Sequence, residues 1–250
     1  DELEAGMIRL HVHGGNGRLG QAIVRLAKAS GDYEVSISGR KEEFSEPTEA
    51  WEVVIDVSQP PGTMEMAVHC AAAGIPLVIG TTGHSSAQLD KLRGGIAPQI
   101  ALLLSPNFSV GVNLLFWLTK KTSQVLGPDF DAEIVELHHR LKKDSPSGTA
   151  KRLGEIIAQT RSLEYEKATR HGREGLVGER TSDEIGVHAV RGGDIVGEHT
   201  VYFAGTGERI ELTHRASSRD TFAKGALRAA RWLIGKPPGW YEMQDALGLE

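Results

Sequence analysis

In roughly the first hundred residues, short continuous apolar runs alternate with segments whose apolar residues have the spacing of a helix. Short apolar runs at 7–13, 33–38, 51–57, 75–79 and 100–104 predict buried β-strands. Between them, apolar residues at helical spacing predict helices at 21–29, 63–73 and 86–93. Strands that alternate with helices at this interval predict a Rossmann-like, doubly wound parallel sheet of the α/β class.

The pattern changes after this region. It predicts a long helix at 112–125, a strand at 131–138 and a helix at 147–160, followed by strands between 187 and 213 with glycine-rich turns. This predicts a second, α+β domain with a mixed, largely antiparallel sheet. An amphipathic helix at 221–233 is expected to return to the first domain. The predicted domains are therefore 1–108 with 220–250, and 109–219; residues 1–6 are acidic and unpatterned and are set aside.

Composition narrows the range of partners. The chain has 250 residues and a formal net charge of -5, which argues against a nucleic-acid or anionic-membrane partner. No apolar run approaches the roughly 18 residues of a membrane span, and no basic-then-apolar leader is present. The single cysteine, Cys70, excludes an intramolecular disulfide and fits a cytoplasmic protein.

A glycine-rich turn follows the first predicted strand. Gly14 precedes Gly15-Asn16-Gly17-Arg18-Leu19-Gly20, which has the G-x-G-x-x-G spacing between a strand and a helix. Glycines allow a tight turn and close backbone approach, and the N–H groups of the helix N-terminus stabilise a pyrophosphate. The turn predicts a dinucleotide site.

The end of the second predicted strand bears on the choice of cofactor. Ser38-Gly39-Arg40-Lys41 lacks the carboxylate that usually binds the ribose 2′-hydroxyl of NAD. The cationic pair could neutralise a 2′-phosphate, which would favour NADPH; alternatively, Arg40 stacks on adenine or faces solvent.

The segment from 136 to 150, Glu-Leu-His-His-Arg-Leu-Lys-Lys-Asp-Ser-Pro-Ser-Gly-Thr-Ala, carries the strongest chemical signal. Imidazole titrates near neutrality, and adjacent histidines on an extended segment point in opposite directions, so His138 and His139 need not share a role. Lys142 adds positive charge. Asp144 or Ser145 is expected to cap a helix that Pro146 begins.

The start of that predicted helix suits an anionic ligand. Ser147, Gly148 and Thr149 would offer backbone N–H groups and two hydroxyls to a carboxylate. The segment therefore predicts a site that holds and protonates a small anionic substrate, although a solvated loop with an ordinary capped helix remains open. No metal site is expected, since the histidines lack an i,i+4 histidine partner on a helix and lie among cations.

These residues resemble the 4-hydroxy-tetrahydrodipicolinate reductase (dihydrodipicolinate reductase) family of lysine and diaminopimelate biosynthesis. The segment matches the signature E-x-H-H-x-x-K-x-D-x-P-S-G-T-A. The resemblance continues through the following motifs: Asp56-Val-Ser-Gln-Pro60, Gly80-Thr-Thr-Gly83, Asn107-Phe-Ser-Val-Gly111, Arg191-Gly-Gly-Asp194 to His199, and Thr213 to Arg219.

The resemblance implies an NAD(P)H-dependent reductase of a small cyclic imine dicarboxylate. Hydride would reach ring C4, with His138 as proton donor and Lys142 as a second acid or electrostatic partner. Substrate carboxylates would contact His139, Ser147, Gly148 and Thr149. The implied cofactor residues are Gly14, Gly15, Asn16, Gly17, Arg18 and Leu19 at the pyrophosphate, Arg40 at the adenosine ribose, and Gly80, Thr81, Thr82, Ser105, Pro106, Asn107 and Phe108 near the nicotinamide. The resemblance also implies a homotetramer formed through C-terminal sheets.

The sequence departs from the family pattern at three places. Gly39 replaces an acidic residue, which puts NADH preference in doubt. Ser145 replaces alanine, and the stretch from 40 to 51 is short, so the sheet edge is expected to be reduced.

Three alternatives remain at this point. A dehydrogenase with a cysteine nucleophile would need Cys70, for which a packed thiol is favoured. The others are a non-catalytic NAD(P)-sensing module and a paralogous reductase of another cyclic imine carboxylate.

Overall fold

The computed structural model describes residues 6–39 and 51–249, which form two compact units. The N-terminal unit comprises the residues up to Val110 and those from Asp220 onwards, and the C-terminal unit is Gly111–Arg219. Within the described ranges, no helix is long and apolar enough to cross a membrane.

The N-terminal unit contains a parallel sheet, as predicted, and this sheet has six strands. Its strands are β1 (Ile8–His13), β2 (Tyr33–Ser38), β3 (Val53–Asp56), β4 (Leu77–Ile79), β5 (Ala101–Leu104) and β11 (Gly239–Tyr241), in the spatial order β11-β5-β4-β3-β1-β2. Strand β2 lies on one side of β1, and β3, β4 and β5 follow in order on the other side of β1. The space beyond the carboxyl ends of β1 and β3 is therefore a topological switch point, where sheets of this class bind ligands.

Helices cover the faces of this sheet. They are α1 (Arg18–Ser30), α2 (Pro60–Ala73), α3 (Ser86–Lys91), which continues into a π-helical turn (Leu92–Ile96), α7 (Asp220–Leu233) and α8 (Met243–Leu247). Alanines of α7 pack with Leu10 and Val12 of β1 and Ile23 of α1. Their small side chains let the helix lie close to the sheet, so after the C-terminal unit the chain adds α7 to the N-terminal unit.

Several elements of this unit differ from the sequence prediction. Helix α2 begins at Pro60 rather than at 63, and helix α8 was not predicted. Helix α1 begins at Arg18 rather than at 21, because Gly17 is its N-cap. Strand β11 was not predicted. It has only three residues, too few to show an alternating pattern, and pairs with β5 through backbone hydrogen bonds that any sequence can make.

The C-terminal unit contains a five-stranded mixed sheet, as predicted. Its strands are β6 (Asp131–His138), β7 (Thr169–Arg170), β8 (Ile185–Arg191), β9 (Gly197–Ala204) and β10 (Arg209–Ala216), in the order β10-β9-β6-β8-β7. Strand β6 is parallel to β8 and antiparallel to β9. This part of the chain also forms helices α4 (Val110–Leu126), α5 (Gly148–Thr160) and α6 (Tyr165–Ala168) and a 3-10 turn (Gly127–Asp129).

Burial alternates along β6. Ala132 and Ile134 lie in the core with Leu153 and Ile157 of α5, whereas the intervening side chains are only partly buried. Because strand side chains alternate between faces, Glu136 and His138 project to the same side as Ala132 and Ile134. Both are buried, so the covered face of the sheet ends in a carboxylate and an imidazole.

Candidate functional site

The glycine turn joins β1 to α1 and is built from backbone hydrogen bonds. The N–H groups of Gly14 and Gly15 donate to the Ser38 carbonyl at 2.9 and 3.3 Å, and the Gly17 N–H donates to the Gly14 carbonyl at 3.0 Å. Gly14 has a φ of +83°, which favours glycine. A Cβ on Gly20 would lie 2.3 Å from the Gly14 oxygen. The turn therefore depends on glycine.

A cleft of about 630 Å³ lies beside this turn, at the switch point of the sheet. It is lined by Gly14, Asn16 and Gly17 of the turn, by Gly39 after β2 and by Ser58 after β3, among others. Gly17 caps α1 without a side-chain hydrogen bond, and the first turn of α1, which holds Arg18 and Leu19, contains no acidic residue. Exposed backbone donors at a helix N-terminus fit the pyrophosphate of a dinucleotide.

Ser38, at the end of β2, is buried between two histidines of β1. Its hydroxyl lies 2.8 Å from His11 Nε2 and 2.8 Å from His13 Nδ1. Burial lowers the pKa of His11 to about 4, so this ring is neutral and packed. Gly39 follows without a carboxylate, and the predicted ribose residue Arg40 lies outside the described residues.

Thr81 and its neighbours lie where β4 ends at the same edge of the sheet. The Thr81 hydroxyl donates to the Asp56 carboxylate at 2.9 Å, and Asp56 is fully buried. The same carboxylate accepts hydrogen bonds from Ser58 and Thr63. Asp56 thereby links the segment after β3 to the segment after β4, which holds Gly80, Thr81 and the exposed Thr82.

The segment after β5 holds the other residues expected near the nicotinamide. The Ser105 hydroxyl donates to the Asn107 carbonyl at 2.7 Å, and Pro106 is exposed. Phe108 is buried in the core, and its ring lies so close to Gly80 that a Cβ there would be 2.4 Å from it. Phe108 thus supports the segment by packing.

In the C-terminal unit, the two adjacent histidines have different surroundings, as predicted. His138 is buried, and its Nδ1 lies 2.6 Å from a carboxylate oxygen of Glu136. His139 is half-buried, and its Nε2 lies 3.3 Å from a guanidinium nitrogen of Arg219. The paired His139 and Arg219 are suited to binding an anion, whereas His138 is suited to proton transfer.

The predicted cap of the helix after the histidines was wrong. Helix α5 begins at Gly148, and its N-cap is Ser147, whose hydroxyl accepts from the Ala150 N–H at 3.2 Å. Asp144 lies three residues before this N-cap, too early in the chain to cap the helix, and its carboxylate oxygens accept from Lys142 Nζ at 2.9 Å each.

The backbone N–H of Ser147 is used within the protein. Its N–H donates to Glu136 at 3.0 Å, and its hydroxyl lies 3.0 Å from His199 Nε2, so the N–H is not available to a substrate carboxylate. Gly148 is exposed and Thr149 is half-buried at the helix start.

The charges of this cluster follow from burial and hydrogen bonding. Burial alone would raise the pKa of Glu136, but hydrogen bonds from Arg191, His138 and Ser147 hold it below the ordinary value. Burial lowers the pKa of His199 to about 3, so His199 is neutral. Burial also lowers the pKa of His138, an effect that Glu136 opposes.

Sequence reasoning assigned no role to Glu136, Arg191, His199, Arg219 or Asp56. For Glu136 a signal was present, because strand alternation places it on the same face as His138. For the others, the contacts depend on strand register and on segments far apart in the chain.

Comparisons with known proteins cover almost the whole chain. The family model described as "Dihydrodipicolinate reductase, N-terminus" matches residues 8–108, and "Dihydrodipicolinate reductase, C-terminus" matches residues 111–247. A 4-hydroxy-tetrahydrodipicolinate reductase of Geobacter metallireducens is 43% identical over 97% of this chain and 100% of its own length. One from Akkermansia muciniphila is 48% identical over 97% of this chain and 99% of its own length.

A solved structure shares the fold. Dipicolinate-bound dihydrodipicolinate reductase from Paenisporosarcina sp. TG-14 aligns with a TM-score of 0.74 at 23% identity, covering 96% of this chain and 99% of that chain.

Proposed function

Because the chain belongs to the dihydrodipicolinate reductase family, we propose that it reduces 4-hydroxy-tetrahydrodipicolinate to tetrahydrodipicolinate in lysine and diaminopimelate biosynthesis, with His138 as the proton donor. The observation that carries the role of His138 is its geometry. One ring nitrogen is held by the buried Glu136 carboxylate, so the other nitrogen is the one that exchanges a proton.

The N-terminal unit holds the dinucleotide. Backbone N–H groups at the start of α1 bind the pyrophosphate, which approaches closely beside the glycine turn; the N–H groups of Gly14, Gly15 and Gly17 are used within the protein. The segments after β4 and β5 orient the nicotinamide. When bound, NADPH or NADH supplies the hydride that is transferred to C4 of the substrate ring.

Residues of the C-terminal unit bind and protonate the substrate. Lys142 stabilises negative charge on the ring or its carboxylate, while His139 with Arg219 and the helix start at Gly148 and Thr149 hold the two carboxylates. The 4-hydroxyl leaves with a neighbouring ring hydrogen as water, which gives the conjugated ring. Hydride then adds to C4 of this ring, and His138 protonates the adjacent carbon of the resulting enamine, which completes the reduction.

Both NADPH and NADH serve as cofactor in this proposal. The absence of a carboxylate at Gly39 removes the group that would repel a 2′-phosphate, and Arg40 is the candidate to bind it.

We also propose a homotetramer of cytoplasmic location, formed through the C-terminal sheets. In β9, Val201 and Phe203 enter the core while Thr200 and Tyr202 lie half-buried on the other face, which is suited to pack against a second copy. Light scattering on the purified chain gives the mass of the assembly.

A coupled assay tests the reaction. Pyruvate and aspartate semialdehyde, with the condensing enzyme, supply the unstable substrate while oxidation of NADPH and NADH is followed in parallel. We expect turnover with at least one cofactor. A folded protein that binds the dinucleotide but turns over neither would contradict the proposal and favour a nucleotide-sensing module.

A further inference from the structure

Glu136 is a buried carboxylate at the centre of the hydrogen bonds around His138. Its side chain has no solvent exposure, and each oxygen accepts two hydrogen bonds. Oε2 accepts from His138 Nδ1 at 2.6 Å and from Arg191 Nη1 at 2.8 Å. Oε1 accepts from Arg191 Nη2 at 2.8 Å and from the Ser147 N–H at 3.0 Å.

The register of the sheet creates this arrangement. In the parallel pair of β6 and β8, His138 lies opposite Arg191, and in the antiparallel pair of β6 and β9, Glu136 lies opposite His199. Regular strand pairing therefore fixes the His138 imidazole, the Glu136 carboxylate and the Arg191 guanidinium, and paired strands are more rigid than a loop.

The carboxylate determines which nitrogen of His138 carries the transferable proton. An ionised carboxylate only accepts hydrogen bonds, so His138 Nδ1 must donate to it and keeps its hydrogen. The proton that is exchanged then resides on Nε2. A Cβ on Gly197 would lie 3.0 Å from that Nε2, so the glycine keeps this side of the ring uncrowded.

Arg191 extends the same network to the rest of the site. Its Nη2 also donates to the Asp144 backbone carbonyl at 2.8 Å, and the Asp144 carboxylate holds Lys142. Through Ser147, Glu136 also contacts the N-cap of α5. The ion pair of the buried Glu136 with the half-buried Arg191 thus fixes the histidine, the lysine segment and the helix start relative to each other.

We propose that Glu136 and Arg191 are positioning residues for this reaction: Glu136 fixes the tautomer and proton affinity of His138, and Arg191 offsets the carboxylate charge so that His138 can release its proton. This rests on the proposed role of His138 as proton donor. Neither residue needs to touch the substrate.

The groups that face His138 determine the expected pH dependence of the activity. They are Glu136 on its own strand, Arg191 on β8, His199 on β9, whose ring lies 5.1 Å away, and Lys142 in the segment after β6. Burial lowers the pKa of His138, Glu136 raises it, and Lys142 and Arg191 lower it. His199 is neutral at working pH.

The first test is the pH profile of kcat/KM for Glu136→Gln. A general acid must be protonated, so activity falls as pH rises through the pKa of His138. Without the carboxylate, this fall should occur about one pH unit lower or more, with a roughly tenfold loss per unit above it. A uniform loss of activity at every pH, with no movement of the profile, would show that Glu136 is only structural.

Glu133→Gln is the matched control. Glu133 lies on the same strand and is also bound by arginines, Arg173 and Arg180, and by a histidine, but it projects to the opposite face. We expect its pH profile to match the wild type. An equal shift in this variant would overturn a specific role for Glu136.

Arg191→Met gives the opposite perturbation. Removing the guanidinium leaves the Glu136 charge unopposed, so His138 should keep its proton to higher pH and the profile should move upward. Shifts of opposite sign cannot result from general damage to the fold. Shifts of the same sign in both variants would contradict the proposal.

A measurement independent of turnover separates this proposal from the proposed function. ¹⁵N-histidine NMR, with the His138 signal assigned through His138→Gln, should show Nδ1 protonated in neutral wild-type protein and a mixture of tautomers in Glu136→Gln. A wild-type Nε2–H tautomer would refute the positioning role, even in an active enzyme. An inactive enzyme with the expected tautomer would refute only the proposed function.

Discussion

Gly20→Ala is the sharpest test of the dinucleotide site, because the added methyl group meets backbone atoms. Its Cβ would lie 2.3 Å from the Gly14 oxygen and 2.7 Å from Gly15 Cα. Neither atom can rotate away as a side chain could. The Gly14 oxygen also accepts from the Gly17 N–H at 3.0 Å, so any relief of the clash distorts the whole turn.

Two opposing contributions determine how far Gly20→Ala changes the free energy of unfolding. Alanine in a helix interior is more stable than glycine by about 1 kcal/mol. Overpacking costs roughly 1–3 kcal/mol, so the free energy of unfolding should fall by up to about 2 kcal/mol. Cofactor binding should suffer more. The loss of one hydrogen bond to a charged group costs about 1.5–3 kcal/mol, which raises the dissociation constant roughly 10- to 150-fold.

The assay is a fluorescence titration with NADPH, combined with thermal unfolding of the same samples. Gly17→Ala is the comparison, because its Cβ would have only one contact, 3.3 Å from the Gly14 oxygen. Gly17 is the N-cap of α1 and lines the cleft, so this variant should lower the Tm less than Gly20→Ala does and should lose cofactor affinity. Gly94→Ala places its Cβ in open space within the π-helical turn, so it should leave cofactor affinity unchanged and should not lower the Tm. Wild-type affinity and Tm in Gly20→Ala would refute the reasoning.

Other expected outcomes follow from single residues. His138→Gln should lower kcat by roughly 10²–10⁴-fold, and unchanged turnover with chemistry rate-limiting would remove it from proton transfer. Arg40→Ala should raise the KM for NADPH more than for NADH; equal effects would contradict a 2′-phosphate contact. The folded-state pKa values of His199, about 3, and His11, about 4, lie below the ordinary 6.5, so the folded state binds fewer protons and stability should fall as pH drops below about 6.5. Urea unfolding at pH 7.5 and 5 measures this, and equal stabilities would contradict it. Cys70 is buried, which raises its thiol pKa, so a thiol reagent should label it only after unfolding, and rapid native labelling would refute this.

The sequence by itself determined the local structure and much of the chemistry. Alternating spacings of apolar residues predicted five of the six parallel strands and the longer strands of the mixed sheet, because each buried face repeats with the period of its element. The two-residue strand β7 was not predicted. The glycine turn was recognisable because its requirement for small residues is local. The different surroundings of His138 and His139 followed from strand geometry alone.

Tertiary structure decided which charged groups meet. Arg191 is 55 residues from Glu136 in the chain, and only the register of β6 with β8 places the guanidinium on the carboxylate. His199 reaches Ser147 in the same way, through the pairing of β6 with β9. The cap of α5 was mispredicted because the helix begins only after Ser147, whose N–H is bound by Glu136, and this contact depends on tertiary placement. Local sequence patterns therefore determine which segments form strands, helices and turns. Strand register and long-range hydrogen bonds determine the environment of His138, the proposed proton donor.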